Sequence, residues 1–145
     1  MKITVETLVK AELADVWNAW SRPADITQWN SAQDDWHTTR SEVDLREGGR
    51  FLSRMEAKDG SAGFDFTGTY TRVIPQQTIE YRMEDGREVR VDFVEQKGGV
   101  LVRNTFDAET QNTPELQRTG WQAISDNFGR YVESRYAGTR GEAAR

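Results

Sequence analysis

The stretch TIEYRMEDGREVRVDFVEQKGGVLVRNTFD, residues 78–107, decides the fold class. Apolar and polar side chains alternate along it, which indicates three strands that each bury one face. The chain turns at Glu84–Arg87, which contains an Asp-Gly pair, and again at Gly98–Gly99. Both turns are too short for the crossover that joins parallel strands. The stretch therefore predicts an antiparallel meander.

The same alternation indicates further strands toward the N-terminus. Residues 2–10, 38–44, 51–56 and 64–71 each alternate, and Pro75 closes the last of these segments. With the meander they make six or seven strands, all joined by short turns. We therefore expect one antiparallel sheet, and no repeat or composition shift marks a second domain.

One or two short helices are expected after the first strand. Apolar side chains recur at helical spacing over residues 13–20, and Pro23 lies near the first turn of a second helix over 21–26, where its missing N–H is harmless. Residues 29–36 fit no period and are expected as an irregular loop that ends at His37.

A long amphipathic helix follows the last strand. It begins near Asn112-Thr113-Pro114-Glu115, which offers capping residues, a proline in the first turn and an acidic side chain at the positive end of the helix dipole. Its apolar stripe continues for about 20 residues, or about 30 Å, enough to cross a sheet. Residues 137–145 have nothing to bury, so we expect a domain over 1–136 and a disordered tail.

These elements predict an α+β fold in which a curved antiparallel sheet wraps around the C-terminal helix. The concave face of such a sheet is wider than a helix of about 10–12 Å, so a space remains between them. Inward rings either fill this space as ordinary core or line a ligand cavity. The predicted ligand-binding residues are Trp29, Trp36, Phe51, Met55, Phe64, Phe66, Tyr70, Tyr81, Phe93, Asn104, Trp121, Ile124 and Phe128.

Composition excludes several classes of function. The 145 residues carry 24 acidic and 19 basic side chains, a net charge of −5, which argues against nucleic-acid binding. Without Cys there is no thiol chemistry, and no apolar run approaches the roughly 20 residues of a membrane span. The N-terminal residues show no signal segment, so we expect a cytoplasmic protein. The glycine pairs Gly48-Gly49 and Gly98-Gly99 lack the spacing of a P-loop or a dinucleotide-binding motif, and we expect no cofactor.

The only imidazole follows two carboxylates in Asp34-Asp35-Trp36-His37. A carboxylate beside a histidine orients the ring and makes it more basic, as a general base requires. His37 and Asp35 are therefore the candidate catalytic residues, although a histidine that only hydrogen-bonds locally fits the pattern as well. One histidine with nearby Asp offers too few ligands to predict a metal site, and no Gly-x-Ser-x-Gly motif supports a serine hydrolase.

Charged side chains alternate with the apolar ones on the predicted strands and are expected to face solvent as cross-strand pairs. An inverted register would instead bring Arg82 or Arg90 into the cavity to bind an anion. Asn104 is the polar group expected inside, beside Tyr70 and Tyr81, where it would orient an otherwise apolar ligand.

Several motifs spread along residues 2–134 resemble the bacterial branch of the activator of heat-shock-protein-90 ATPase homologues. They are Trp29-Asn30, Asp34-Asp35-Trp36-His37, Asp44-Leu45-Arg46-x-Gly48-Gly49-x-Phe51, Met55-Glu56-Ala57-Lys58-Asp59-Gly60-Ser61, Gly63-Phe64-Asp65-Phe66-x-Gly68-x-Tyr70, Thr105-Phe106-Asp107 and Gln117-Arg118-x-Gly120-Trp121-Gln122-Ala123-Ile124-x-Asp126-Asn127-Phe128. At a position where many relatives carry Glu, this chain has Asn104.

The resemblance implies a START-like (SRPBCC) helix-grip fold, similar to Bet v 1, whose members bind hydrophobic ligands under the long helix. It favours binding of a small hydrophobic or aromatic molecule as the function. Two alternatives stay open: a cyclase or aromatase acting on a polyketide-like substrate, as in some START-like relatives, and a co-chaperone that binds a heat-shock protein 90 homologue. Fold alone does not decide among them.

Overall fold

A computed structural model describes the backbone of residues 1–143 and the side chains of residues 1–136. Its elements follow the predicted order of strand, one or two short helices, strands and long helix, and the short helices number two. They are β1 (Lys2–Val9), α1 (Leu13–Ser21), α2 (Pro23–Trp29), β2 (Trp36–Val43), β3 (Arg50–Ala57), β4 (Gly63–Ile74), β5 (Thr78–Met83), β6 (Glu88–Gln96), β7 (Gly99–Asp107) and α3 (Pro114–Ala143).

The seven strands form one sheet in the order β1-β7-β6-β5-β4-β3-β2, and every neighbouring pair is antiparallel. The sheet curls around α3, which packs on β1 and touches α1 and α2, while α2 also contacts β2. This arrangement confirms the predicted helix-grip α+β fold. No helix over the described residues combines the length and apolarity that a membrane span requires.

The core lies on the concave face, where the strand alternation places its apolar side chains. Val102 and Phe106 of β7 are fully buried, as are Phe128 and Val132 of α3. Each such side chain contributes about 1.5–3 kcal/mol relative to an exposed one. The apolar stripe of α3 is therefore held mainly by burial against the sheet.

The convex face carries the charged side chains, as predicted. Arg103 Nε lies 2.7 Å from Glu6 Oε2, and Arg90 Nε lies 3.0 Å from Asp92 Oδ1. Arg82 pairs with Glu88 across the β5–β6 hairpin. Neither Arg82 nor Arg90 enters the concave side, so the inverted register that would bring a guanidinium inside does not occur.

Several predicted boundaries differ from the structure: α2 ends three residues later than expected, β2 already begins at Trp36, and β4 continues to Ile74. Trp29 is the last residue of α2 and not part of a loop, because its indole Nε1 donates to Ala19 O at 2.9 Å and the ring is buried. The helix α3 continues to Ala143. Of the predicted tail, residues 144–145 and the side chains of 137–143 lie outside the described residues, so the expected disorder stays a prediction.

Candidate functional site

A cavity of about 240 Å³ lies between the concave face of the sheet, α2 and α3. Its lining is uncharged and dominated by rings and aliphatic side chains, with a few hydroxyl and amide groups among them. The lining residues are Trp20, Ile26, Trp29, Asn30, Val43, Phe51, Ser53, Met55, Phe64, Phe66, Tyr70, Ile79, Tyr81, Asn104, Trp121, Ile124 and Ser125.

An aromatic cluster on β3, β4 and β5 forms the sheet side of the cavity. The ring centroid of Phe51 lies 5.7 Å from Phe66, 5.3 Å from Tyr70 and 4.9 Å from Tyr81. Gly68 makes room for it, since a Cβ there would lie 2.6 Å from Phe51 Cε2. The cluster depends on the pairing of Gly68 with Phe51 across β3 and β4.

The opposite side is built by the helices. Trp20 and Trp29 pack with centroids 4.8 Å apart and close one end, and Phe128 supports both indoles at 4.9 Å from each. Trp121 stacks on Phe106 of β7 at 4.0 Å with planes 10° apart. This stacking fixes the indole of α3 against the sheet beside the cavity.

Phe64 marks the opening of the cavity. It lines the cavity and is nevertheless 50% exposed, and its ring lies 5.9 Å from that of Trp36. Only a side chain at the mouth meets both conditions. The cavity therefore opens to solvent at the start of β4.

The polar groups of the cavity are buried. Asn104 Nδ2 donates to Ser125 Oγ at 3.2 Å, and both residues are 2% exposed. Ser53 is buried on the sheet side. Burial raises the pKa of the Tyr70 and Tyr81 phenols well above the usual value, with Asp44 and the neighbouring phenol adding to the effect. Both tyrosines are therefore neutral hydrogen-bonding groups.

Ten of the thirteen predicted ligand-binding residues line the cavity, and Trp36, Phe93 and Phe128 do not. Phe93 is part of the core because α1 covers it: its ring packs edge-on against Trp17 at 5.2 Å. Phe128 lies behind Trp20 and Trp29, and Trp36 stands beside the mouth next to Phe64.

Seven lining residues were not predicted, namely Trp20, Ile26, Asn30, Val43, Ser53, Ile79 and Ser125. Ser53 carried a usable signal, since it alternates in phase with Phe51 and Met55 on β3. Ser125 follows Ile124 on the stripe of α3, but a small polar residue there gives no sign of which partner it faces. Trp20 and Ile26 depend on how the two short helices dock.

The candidate catalytic residues lie outside the cavity. Thr38 points inward and donates to Asn30 O at 2.7 Å, so the adjacent His37 faces the convex side, where it pairs with Glu56 of β3. Hydrogen bonds from Arg54 and Thr39 hold the pKa of Glu56 below its usual value. Asp35 is exposed. The proposed acid/base pair therefore has no access to a ligand in the cavity.

A shallow hollow on the convex face is lined by Thr39, Arg40, Arg54, Glu56 and Asp65, and Arg54 there bonds both carboxylates. Within the described part of the chain, no group of three or more His, Asp or Glu is placed to hold a metal ion. The cavity is thus the candidate site.

Residues 10–133 match the family described as Activator of Hsp90 ATPase homolog 1-like protein. The chain belongs to this family. The resemblance inferred from its motifs is therefore confirmed over most of its length. Among curated proteins the chain has no match.

Several solved structures share the fold. The solution NMR structure of the AHSA1-like protein from Aeromonas hydrophila is 56% identical, with a TM-score of 0.89 over 93% of this chain and 94% of that one. Chr148 from Cytophaga hutchinsonii is 43% identical, with a TM-score of 0.80 over 94% of each chain. NE0264 from Nitrosomonas europaea has a TM-score of 0.81 over 94% of this chain and 97% of its own, but at 15% identity it supports the fold alone.

Proposed function

We propose that this protein binds a small hydrophobic or aromatic molecule in the cavity between the curved sheet and α3. The observation that carries the proposal is the cavity itself, about 240 Å³ of space lined by rings, with Phe64 at an open mouth. Membership of the activator family fits a ligand-binding or an activator role, and the cavity favours the first.

The size of the cavity restricts the ligand. Pockets for drug-sized ligands measure roughly 300–1,000 Å³, and this one lies just below that range. A ligand of one or two fused rings therefore fits better than a long lipid chain. Flat rings also match the aromatic cluster around Phe51, because offset and edge-to-face contacts between rings are favourable.

An enzymatic role of the cyclase or aromatase kind has weaker support. Proton transfer requires a group within hydrogen-bond reach of the substrate, and His37 and Asp35 lie outside the cavity. The tyrosines that do line it have raised pKa values and hold their protons. They are suited to orient a ligand.

An activator role toward a heat-shock protein 90 homologue remains a proposal that rests on the family description. Apart from Phe64 at the cavity mouth, the exposed apolar side chains of the described strands form one short row, because Leu8 of β1 and Val94 of β6 both pair with Leu101 of β7. Three side chains are few beside the roughly 20–30 residues that each partner contributes to a standard protein interface. A cytoplasmic location likewise stays a prediction from the sequence.

The test is a thermal-shift screen of the purified protein with small aromatic compounds, aromatic acids and lipids. A ligand at 100 times its dissociation constant adds about 2.7 kcal/mol to stability, which raises the melting temperature by several degrees. We expect aromatic compounds with one or two rings to raise the melting temperature, and we expect smaller shifts with the Trp121→Ala variant.

A matched pair of variants assigns the hits to the cavity. Phe51→Leu alters the lining, whereas Phe93→Leu makes the same change in a buried ring outside it. We expect Phe51→Leu to weaken ligand binding about tenfold and Phe93→Leu to leave it within about twofold. A screen without hits on well-folded protein, or equal losses in both variants, would contradict the proposed function.

A further inference from the structure

The charge pattern of the cavity bears on which molecules it accepts. All seventeen side chains that line it are uncharged, although 30% of the chain is Asp, Glu, Lys or Arg. The four arginines next to lining residues in the sequence all pair with glutamates on the convex face: Arg50 with Glu84, Arg54 with Glu56, Arg82 with Glu88 and Arg103 with Glu6. An anion in the cavity would meet no cation, and desolvating an unpaired charge is costly.

The pKa values of the two tyrosines in the lining also indicate that the cavity disfavours a negative charge. Burial is the main cause of the raised pKa of Tyr70 and of Tyr81, so the surroundings disfavour a phenolate at these positions. The Asp44 carboxylate adds to the effect at Tyr70, and Arg87 opposes it at Tyr81. A ligand carboxylate in the same space meets the same penalty.

The pair formed by Asn104 and Ser125 offers hydrogen bonds to a neutral group. Two other hydroxyls of the helices donate to the carbonyl four residues earlier: Ser21 to Trp17 O at 2.7 Å and Thr119 to Glu115 O at 2.9 Å. Ser125 Oγ instead accepts from Asn104 Nδ2. The hydroxyl hydrogen of Ser125 and the carbonyl oxygen of Asn104 are thereby left for a ligand.

We infer that the cavity selects uncharged ligands of one or two fused rings whose polar group both donates and accepts a hydrogen bond, such as a carboxamide or a hydroxyl, and that Asn104 and Ser125 bind this group. The inference rests on the proposed function and narrows it to a ligand class. Carboxylates of the same shape are rejected because the cavity holds no counter-charge. Hydrocarbons of the same shape bind more weakly, because the Ser125 hydroxyl hydrogen and the Asn104 carbonyl oxygen then have no hydrogen-bond partner in the ligand.

Three probes of nearly equal shape separate these effects in calorimetric titrations. Naphthalene-2-carboxamide is neutral and polar, 2-naphthoate has the same shape with a negative charge, and 2-methylnaphthalene has no polar group. At neutral pH we expect the carboxamide to bind at least about tenfold more tightly than either of the others.

Variants assign the selectivity to the pair. Asn104→Leu is expected to bring the carboxamide and 2-methylnaphthalene to within about twofold of each other, and Ser125→Ala to reduce the preference by a smaller factor. Thr78→Val is the control, because Thr78 is also buried and bonded, to Asp92 at 3.0 Å, but lies outside the lining. It should keep the full preference. Ser125→Ala, a small change, serves if Asn104→Leu fails to fold.

The outcomes distinguish the inference from the proposed function. If 2-naphthoate binds as tightly as the carboxamide, or if both pair variants keep the full preference for the carboxamide, the inference is overturned while a ligand cavity stands. If none of the probes and none of the screened aromatics binds, both are overturned. A preference that is lost in the pair variants and kept in Thr78→Val supports the inference.

Discussion

The two faces of the sheet differ in chemistry although the same seven strands build both. On β3, Phe51, Ser53 and Met55 face the cavity, while Arg54 and Glu56 face solvent and bond each other. The concave face is stabilised by the close packing of its buried rings. The convex face depends on pairs of charges that water screens. Substitutions on the two faces should therefore have very different effects.

The largest effect is expected from Phe128→Ala on the concave side. Phe128 is fully buried and lies 4.9 Å from both Trp20 and Trp29. Removing a buried ring of this kind costs about 3–5 kcal/mol, through lost burial and the cavity left behind. Chemical denaturation followed by tryptophan fluorescence measures the free energy of unfolding. A loss below about 1 kcal/mol would show that this end of the core repacks freely.

A charge placed on the concave face should have the next largest effect. Asn104→Asp puts a carboxyl group where 2% of the residue is exposed, and burial raises the pKa of such a group in the folded state. At neutral pH we expect a loss of about 1–3 kcal/mol. The loss should shrink as the pH falls toward about 3.9, the pKa of an unfolded aspartate, because both states are then protonated.

The measurement is the free energy of unfolding of Asn104→Asp and of the parent protein from about pH 3.5 to about pH 7.5. This range covers the pH values at which the new carboxyl group changes charge in the unfolded and folded states. A stability difference between variant and parent that stayed constant over this range would show that burial on the concave face does not disfavour the charged carboxylate.

Asp107 gives the opposite pH dependence on the solvent side. Hydrogen bonds from Lys2 and from the backbone of Glu88 hold its pKa below the usual value. Its contribution to stability is therefore present above about pH 3.9 and lost as the pH falls through the lower folded-state pKa. Asp107→Asn should be less stable than the parent at neutral pH and converge with it in acid. A difference that persisted at pH values below the folded-state pKa would exclude the charge as its cause.

The smallest effect is expected from Arg103→Gln on the convex face. Arg103 bonds Glu6 at 2.7 Å, but the two side chains are 40% and 46% exposed. Such pairs contribute roughly 0–1 kcal/mol, and the difference should disappear at high salt. Denaturation at low and high salt checks this. A loss as large as that of Asn104→Asp would remove the contrast between the two faces.

The cavity could be predicted only in part, as two rings of equal pattern show. Phe51 and Phe93 both occupy inward positions of alternating strands, yet Phe51 lines the cavity and Phe93 packs against Trp17. The difference arises because α1 covers β6 and leaves β3 uncovered, which alternation does not encode. The position of His37 was not predictable for a related reason: its neighbours in sequence suggested acid/base chemistry, but the alternation of β2 places its side chain on the convex face.

The amino-acid sequence by itself determined the antiparallel sheet, the long amphipathic helix and which residues of each strand face inward, because period and turn length are local properties. Only the tertiary structure decided that the space under α3 stays open. It also decided that Asn104 meets Ser125 from 21 residues away and that Trp20 and Trp29 close one end. Those contacts depend on how curved layers dock, and many packings of the same inward residues satisfy the same alternation.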